Sequence, residues 1–69
     1  MVDLDVIIPV KNEAESVTPL VRRLDASLKS ARISYRLIFV DDRSTDDTVS
    51  TLRRLSAKSP IVVHTKRGR

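Results

Sequence analysis

Two apolar runs, at positions 4–10 and 35–40, constrain the fold of this chain more than any other feature. Both are rich in β-branched or aromatic residues and have few polar interruptions. Runs of this kind are typical of strands covered on both faces of a parallel sheet, and parallel strands require a crossover between them. The sequence therefore predicts an α/β fold whose first strand is Leu4 to Val10 and whose second is Tyr35 to Val40.

The segment between the two runs has the periodicity of an amphipathic helix. A proline inside a helix costs about 3 kcal/mol, so we expect the helix to begin near Ser16 to Thr18, with Pro19 in its first turn. Residues 11–15 are then expected to form a loop or a frayed turn. The apolar residues that recur at helical spacing are Val17, Leu20, Val21, Leu24 and Leu28.

A second helix is predicted after the second apolar run. Ser44 is expected to be its N-cap, with Asp47 three residues on as the acid of a capping box. Ser59-Pro60 is expected to end it, because the residue before a proline avoids the helical conformation. The buried side of this helix is marked by Val49, Leu52 and Leu55.

The loops after the first two strands are expected to lie together. Ile61-Val62-Val63 has the composition of a third strand, which completes a β-α-β-α-β order. Such crossovers are right-handed almost without exception, so the three strands should form one parallel sheet with both loops at its carboxyl edge. Lys11-Asn12-Glu13 and Asp41-Asp42-Arg43 are then expected to face each other.

The adjacent carboxylates Asp41 and Asp42 are the strongest indication of a ligand. They end a buried strand, where two neighbouring carboxylates repel each other and are costly to desolvate. Ligands of open parallel sheets bind at this end of the strands, and the Ser/Thr-rich stretch that follows opens a helix whose free N–H groups suit phosphate. Together these features predict a nucleotide site.

Length and charge limit what the chain can do. Its 69 residues include no cysteine, and His64 alone cannot build a metal site. Thirteen Lys and Arg against nine Asp and Glu give a net charge of +4, but the acidic loops argue against a nucleic-acid partner. The longest apolar run is too short to cross a bilayer. The basic residues expected on solvated helix faces are Arg22, Arg23, Lys29, Arg32, Arg53, Arg54 and Lys58.

Two motifs in this chain resemble those of a known family. VIIPVKNE at residues 6–13 and VDDRSTDDT at residues 40–48 are similar to the N-terminal nucleotide-binding half of the GT-A fold in family 2 glycosyltransferases. The resemblance extends over essentially the whole chain, so residues 1–69 are expected to be a partial, Rossmann-like GT-A domain. It implies an enzyme that transfers a sugar from a nucleoside diphosphate donor to an acceptor.

The resemblance also implies which residues hold the nucleotide. Asp41 would accept hydrogen bonds from the N–H groups of a pyrimidine or guanine ring, and Asp42 would lie near the base or ribose. The turn after them would be held, and its helix capped, by Ser44, Asp46 and Thr48. The other implied nucleotide-binding residues are Pro9, Lys11, Asn12 and Glu13 in the first loop, with Lys66 and Arg67 beside the diphosphate.

Two positions depart from the commonest family pattern. Lys11 stands where an aromatic residue that frames the base is usual, and a lysine there suits phosphate or ribose instead. Asp47 replaces a frequent glycine, which indicates that the backbone at this position does not need a positive φ.

The family resemblance implies a divalent metal, Mg or Mn, in a full-length enzyme. There a later Asp-x-Asp motif holds the metal and a later carboxylate acts as base. No Asp-x-Asp motif follows the acidic pair within residues 1–69, and the later carboxylate is not among them either, so no catalytic residue and no metal ligand is assigned in this chain. We expect the 69 residues alone to bind no metal and to be inactive, as the first segment of a larger transferase.

The expected partners follow from the same resemblance. The donor is expected to be a UDP- or GDP-linked sugar, and the acceptor a polyprenyl phosphate or a glycan. The chain is expected in the cytoplasm or, through a parent protein, at the cytoplasmic face of a membrane. A three-stranded sheet leaves edges and an apolar flank uncovered, which also allows the fragment to associate with itself.

Two other interpretations remain open at this point. One is a non-catalytic α/β module that binds phosphate or a nucleotide. The other is a response-regulator-like domain that holds Mg²⁺ with an acidic pair. That fold expects the pair after its first strand and a further Asp after its third, whereas here Ile61-Val62-Val63 leads to His64-Thr65.

Overall fold

The computed structural model describes residues 2–66 as alternating strands and helices. The elements are β1 (Leu4–Val10), α1 (Ala14–Ser30), β2 (Tyr35–Asp41), α2 (Thr48–Leu55) and β3 (Ile61–Thr65). The strands are parallel and lie in the order β1-β2-β3. This confirms the βαβαβ fold and the single parallel sheet expected from the sequence, with β2 in the centre.

The strand register brings the three carboxyl ends to one edge of the sheet. Val10 is paired with Asp41, and Asp41 is paired in turn with Thr65. Both β2 and β3 run further than the sequence predicts, because Asp41 and the pair His64-Thr65 join the ladder. Asp41, the first residue of the acidic pair, is therefore the last residue of β2, with β1 on one side and β3 on the other.

The core lies on one face of the sheet. Leu37 and Phe39 on β2 are fully buried against Val17 and Val21 of α1 and Leu52 of α2. Consecutive right-handed crossovers in the order β1-β2-β3 carry both helices over the same face, and the two helices contact each other there. Burial of these side chains supplies most of the stabilising free energy of so small a fold.

The opposite face of the sheet is open in the part of the chain that the structure describes. Ile7 is 67% exposed, and it is paired with the half-buried Ile38, which is paired with Val62. The expectation that β1 is covered on both faces is therefore wrong for residues 2–66. An apolar run indicates a strand, but it does not show whether one face or both faces of that strand are covered.

Helix α1 begins earlier than the sequence predicts, at Ala14 rather than near Ser16 to Thr18. Pro19 accordingly lies inside the helix, beyond the first turn. The extra turn forms because Val17 N donates to Glu13 O at 3.1 Å. In addition, Glu13 N donates to the Thr48 hydroxyl and Ala14 N donates to the Asp46 carboxylate. These tertiary hydrogen bonds offset the preference of Pro19 for the first turn of a helix.

Helix α2 begins at Thr48 and its N-cap is Asp47, so the prediction that Ser44 caps it is wrong. The Asp47 side chain makes no capping hydrogen bond, and Ser44 instead bonds to Asp41 and Asn12. Asp47 has a φ of −84°, which agrees with the expectation that this position needs no positive φ.

A polar cluster ties the elements together at the amino edge of the sheet. The Tyr35 hydroxyl donates to Asp25 Oδ1 at 2.6 Å, and the Ser59 hydroxyl donates to Asp25 Oδ2 at 2.5 Å. One carboxylate on α1 therefore joins the start of β2 to the segment that leads into β3. The seven basic residues expected on solvated helix faces are all exposed.

Candidate functional site

The loop after β1 and the loop after β2 are hydrogen-bonded to each other at the carboxyl edge. Asp42 N donates to Val10 O at 2.9 Å, and Asn12 N donates to Ser44 Oγ at 2.8 Å. This confirms that the two segments face each other. The shared register of the parallel strands places them side by side, and polar contacts then join them.

Asn12 holds the second loop with its side chain as well as its backbone. Its Oδ1 atom accepts hydrogen bonds from Thr45 N at 2.7 Å, from Thr45 Oγ1 at 3.3 Å and from Asp46 N at 3.3 Å. Asn12 has a φ of 49°, a left-handed conformation that asparagine tolerates better than most residues. Residue type and backbone geometry therefore agree at this position.

Asp46 accepts hydrogen bonds at the start of both helices. Its Oδ2 atom accepts from Ala14 N at 3.3 Å, and its Oδ1 atom accepts from Thr48 N at 3.0 Å and from the Thr48 hydroxyl. These bonds, led by that of the hydroxyl, lower the pKa of Asp46 below its ordinary value of 3.8, while partial desolvation opposes them. The Thr48 hydroxyl oxygen in turn accepts from Glu13 N at 2.8 Å.

Asp41 is buried at the end of β2, where only 2% of it is exposed. Its Oδ2 atom accepts from Ser44 N at 3.0 Å, and its Oδ1 atom accepts from the Ser44 hydroxyl. Its backbone oxygen accepts from Lys66 N at 2.8 Å. The carboxylate therefore has partners within its own loop, and a ligand can use only the acceptor capacity that these bonds leave free.

Asp42 is the more accessible member of the acidic pair. Its side chain is 42% exposed and lies 3.6 Å from Arg43 Nε. Arg43 has a φ of 55°, so the backbone turns sharply just after the pair. The Asp42 carboxylate therefore faces solvent at the sheet edge with one adjustable cationic neighbour.

The structure places the other predicted site residues around this edge with different degrees of support. Glu13 Oε1 accepts from Lys11 N at 3.2 Å, and the Lys11 and Lys66 side chains are exposed beside the first and third strand ends. Pro9 is exposed within β1, one residue before its end. Arg67 lies outside the described residues.

One of the N–H groups at the start of α2 that the sequence suggests for phosphate already has a partner within the chain. The Thr48 N–H is taken by Asp46, and the adjoining hollow of about 500 Å³ carries mostly acidic side chains. Negative charge at that position disfavours a diphosphate. The lining residues are Asn12, Glu13, Ala14, Glu15, Ser16, Asp46 and Asp47.

Ser44, Asp46 and Thr48 hold the turn, as expected, but sequence reasoning missed that they reach the start of the other helix. The signal was their chemistry and their alternate spacing, because side chains that can accept hydrogen bonds recur at every second residue. Ser44, Asp46 and Thr48 are two residues apart, and all three contact the segment 12–14.

Within residues 2–66, no group of three or more His, Cys, Asp or Glu side chains is arranged to hold a metal ion. Across the same residues, no helix is long and apolar enough to cross a membrane.

Two known transferases are similar in sequence to most of this chain. Dodecaprenyl-phosphate galacturonate synthase of Rhizobium johnstonii is 42% identical over 61 residues, which cover 88% of this chain and 18% of that protein. Dolichol-phosphate mannosyltransferase of Pyrococcus furiosus is 38% identical over 60 residues, which cover 87% of this chain and 16% of that protein. The chain thus spans less than a fifth of either relative.

A solved structure shares the fold. It is the mannosyltransferase PcManGT from Pyrobaculum calidifontis in complex with GDP-Man and Mn²⁺, with a TM-score of 0.63 and 25% identity over 96% of this chain and 21% of that one. The Rossmann-like GT-A architecture is therefore confirmed, and the response-regulator-like alternative is set aside. The family model described as glycosyl transferase family 2 matches residues 5–69. The chain belongs to glycosyl transferase family 2.

Proposed function

We propose that this chain is the donor-nucleotide-binding part of an enzyme that transfers a sugar from a nucleoside diphosphate sugar to an acceptor. The observation that carries the proposal is the acidic pair at the end of the central strand, at the edge where all three strands end. Ligands of open α/β sheets bind at this edge. Membership of a glycosyltransferase family makes the nucleotide sugar the ligand that fits.

We assign different tasks to the two acidic residues. Asp42, with its half-exposed carboxylate, accepts hydrogen bonds from the base or the ribose. Asp41 accepts from a ring N–H with the capacity that Ser44 leaves free, and it holds the loop in place. A carboxylate suits both tasks because it is an acceptor only, and uracil and guanine both present N–H donors.

The diphosphate is proposed to lie between the two exposed lysines. Lys11 and Lys66 flank β2 on its two sides, and each supplies a cation at the end of a neighbouring strand. Glu13 orders the Lys11 backbone, and Asn12 orders the opposite loop. Pro9 would shape the approach to the first loop, and Arg67 would add a second cation beside Lys66.

Transfer itself is proposed to require more than this chain. A divalent metal, Mg²⁺ or Mn²⁺, would offset the charge of the leaving diphosphate, and the related mannosyltransferase structure is a complex with GDP-Man and Mn²⁺. The side chains of residues 2–66 do not fit such an ion, so no reaction step is routed through one here. We propose that the 69 residues are a partial GT-A domain that binds the donor without turnover.

We propose donor and acceptor classes by analogy with the named relatives. The relatives are a dodecaprenyl-phosphate galacturonate synthase and a dolichol-phosphate mannosyltransferase, so a polyprenyl phosphate is the proposed acceptor, with a glycan as the second possibility. A UDP- or GDP-linked sugar is the proposed donor. Use of a lipid acceptor would place the working enzyme at the cytoplasmic face of a membrane.

Titration of the isotope-labelled chain with UDP and GDP, followed by backbone NMR, tests this proposal. We expect shifts concentrated at residues 10–13, 41–45 and 65–66. Asp42→Asn should weaken binding about tenfold, the loss expected when a charge-assisted hydrogen bond is removed. Asp47→Asn removes the same charge five residues on and should leave the affinity within about twofold.

Three outcomes would contradict the proposal. The first is no saturable shift with either nucleotide. The second is equal weakening by Asp42→Asn and Asp47→Asn, which would indicate a general charge effect instead of a contact. Sugar turnover by the 69 residues alone would contradict the assignment of transfer to a larger domain.

A further inference from the structure

We infer that Asn12 and Asp46 are positioning residues for the nucleotide site, and that they hold the loop carrying the acidic pair in its binding-competent arrangement. The inference rests on the proposed function. It concerns the interloop network, which we define as the hydrogen bonds that link Asn12, Glu13 and Ala14 to Ser44, Thr45, Asp46 and Thr48.

The network leads from both helix starts to the acidic pair. Asp46 joins Ala14 N to Thr48 N, which fixes the start of α1 relative to α2. Asn12 Oδ1 accepts from Thr45 N and from Asp46 N, and Asn12 N donates to Ser44 Oγ. Ser44 in turn holds the buried carboxylate of Asp41. A continuous set of contacts therefore runs from Asp46 to Asp41.

Polar contacts are the main forces that hold this loop. Residues 43–47 read Arg-Ser-Thr-Asp-Asp and contribute no apolar side chain, and only Ser44 among them is partly buried. Without burial of apolar surface, the loop gains order only from hydrogen bonds, each worth about 1 kcal/mol and more when one partner is charged. Loss of one bond from a set this small changes the population of the ordered loop substantially.

The chain contains its own control for this effect. Asp46 and Asp47 are adjacent, exposed and equally charged, but only Asp46 accepts hydrogen bonds from the other loop, and the Asp47 side chain makes no capping bond. Substitution of each by asparagine removes the same charge at nearly the same place. A difference in nucleotide affinity between the two variants therefore reports the network.

The test measures the dissociation constants of UDP and GDP for the chain and for Asp46→Asn and Asp47→Asn. The temperature is one at which circular dichroism shows all three to be fully folded. An asparagine can accept with only one of its two former acceptor atoms, so Asp46→Asn loses either the Ala14 or the Thr48 bond. If the fraction of molecules with an ordered loop falls to roughly a fifth, the dissociation constant rises about fivefold, and if it falls to roughly a tenth, about tenfold. Asp47→Asn should stay within about twofold.

A second pair of variants separates the Asn12 side chain from its backbone. Asn12→Gly removes the Oδ1 acceptor but keeps the positive φ easily, whereas Asn12→Ala removes the same acceptor and strains the backbone. Both should weaken nucleotide binding. Both should also speed hydrogen exchange at the Thr45 and Asp46 amides, and saturating nucleotide should slow that exchange again, because the ligand selects the ordered loop.

A purely structural role would lower stability without moving the dissociation constant of the fully folded variant, so the two roles are distinguishable. If the unmodified chain binds and Asp46→Asn binds equally well, the inference is overturned while the proposed function stands. If the Thr45 amide exchanges hydrogen at the same rate in Asn12→Gly as in the unmodified chain, the inference also fails. If the unmodified chain binds neither nucleotide, the proposed function fails and the inference with it.

Discussion

The Tyr35 hydroxyl donates a hydrogen bond of 2.6 Å to the Asp25 carboxylate, which joins the start of the central strand to the carboxyl-terminal half of the first helix. Burial of the ring is the largest cause of a raised pKa for Tyr35, to about 12 from its ordinary value of 10.0, and the bond and charge of Asp25 add to it. This contact lies at the opposite edge of the sheet from the acidic pair and concerns stability rather than binding.

Alkaline titration of the single tyrosine tests this contact. Because the pKa is higher in the folded chain than in the unfolded chain, the stabilisation is fully present below pH 10.0 and is lost as the pH rises toward about 12. Ultraviolet absorbance of the tyrosinate should therefore rise only near pH 12, or together with loss of the circular dichroism signal. In Asp25→Asn the midpoint should be lower. Ionisation near pH 10.0 in a folded chain would contradict the prediction.

Acid should weaken the fold partly through Asp46. Its pKa is lowered in the folded chain, so its contribution is present above the ordinary value of 3.8 and is lost as the pH falls below that value. Urea unfolding at neutral pH and at a series of acidic pH values should show a smaller acid-induced loss of stability in Asp46→Asn than in the unmodified chain. Asp47→Asn should keep the larger loss, and equal behaviour of both variants would speak against a specific role of Asp46.

The lysine at the end of β3 should contribute to phosphate binding and not to base binding. Lys66→Gln removes an exposed cation beside Asp41. It should lower the affinity for UDP and GDP about fivefold, roughly 1 kcal/mol, and leave the affinity for uridine and guanosine unchanged. Lys58→Gln, an exposed position at the amino edge, is the matched control and should have no effect on either. Isothermal titration calorimetry at two salt concentrations measures both, and an equal loss for nucleoside and nucleotide would refute the assignment.

Neighbouring apolar residues on opposite faces of the sheet should differ sharply in their effect on stability. Leu37 is fully buried, so Leu37→Ala should lower the free energy of unfolding by about 2–5 kcal/mol, which is enough to unfold much of a chain of this size. Ile7 is 67% exposed, and Ile7→Thr keeps a β-branched residue, so its cost should stay within about 0.5 kcal/mol. Urea unfolding compares them, and similar losses would show that the open face is covered in solution.

The same Ile7→Thr variant tests whether the chain associates with itself through the open face. The sequence allows such association, and the exposed Ile7 is the residue that a second copy would contact first. Sedimentation of the unmodified chain should then depend on concentration, and that of Ile7→Thr should depend on it less. A monodisperse monomer at high concentration would rule the association out.

Local patterns in the sequence were sufficient to predict the elements and their order. The apolar runs and the helical spacing identified all three strands and both helices, because each pattern depends on residues close in sequence. The helix starts were predicted less well. Pro19 and Ser44 led to helix starts that the structure does not have, because contacts from residues more than thirty positions away decided where α1 begins.

The candidate site divides in the same way. The sequence was sufficient to bring Asn12 and the acidic pair to one edge, since strand ends in a parallel sheet must meet there. It did not predict that Asp41 is buried with Ser44 as its partner, or that Asp46 serves both helices. Those facts depend on how two loops fit together, and propensities of single segments contain no such information.

The interloop network has a consequence for protein engineering. A chimera could take the first loop from one family member and the second loop from another. Asn12 would then lose the hydrogen bond that it accepts from Thr45 N, and Ala14 N would lose the Asp46 carboxylate as its acceptor. Both helices would then lose partners even if each transplanted segment were individually well suited to its new host. An exchange of the two loops that the proposed function assigns to the donor should therefore move residues 11–14 and 41–48 as one unit.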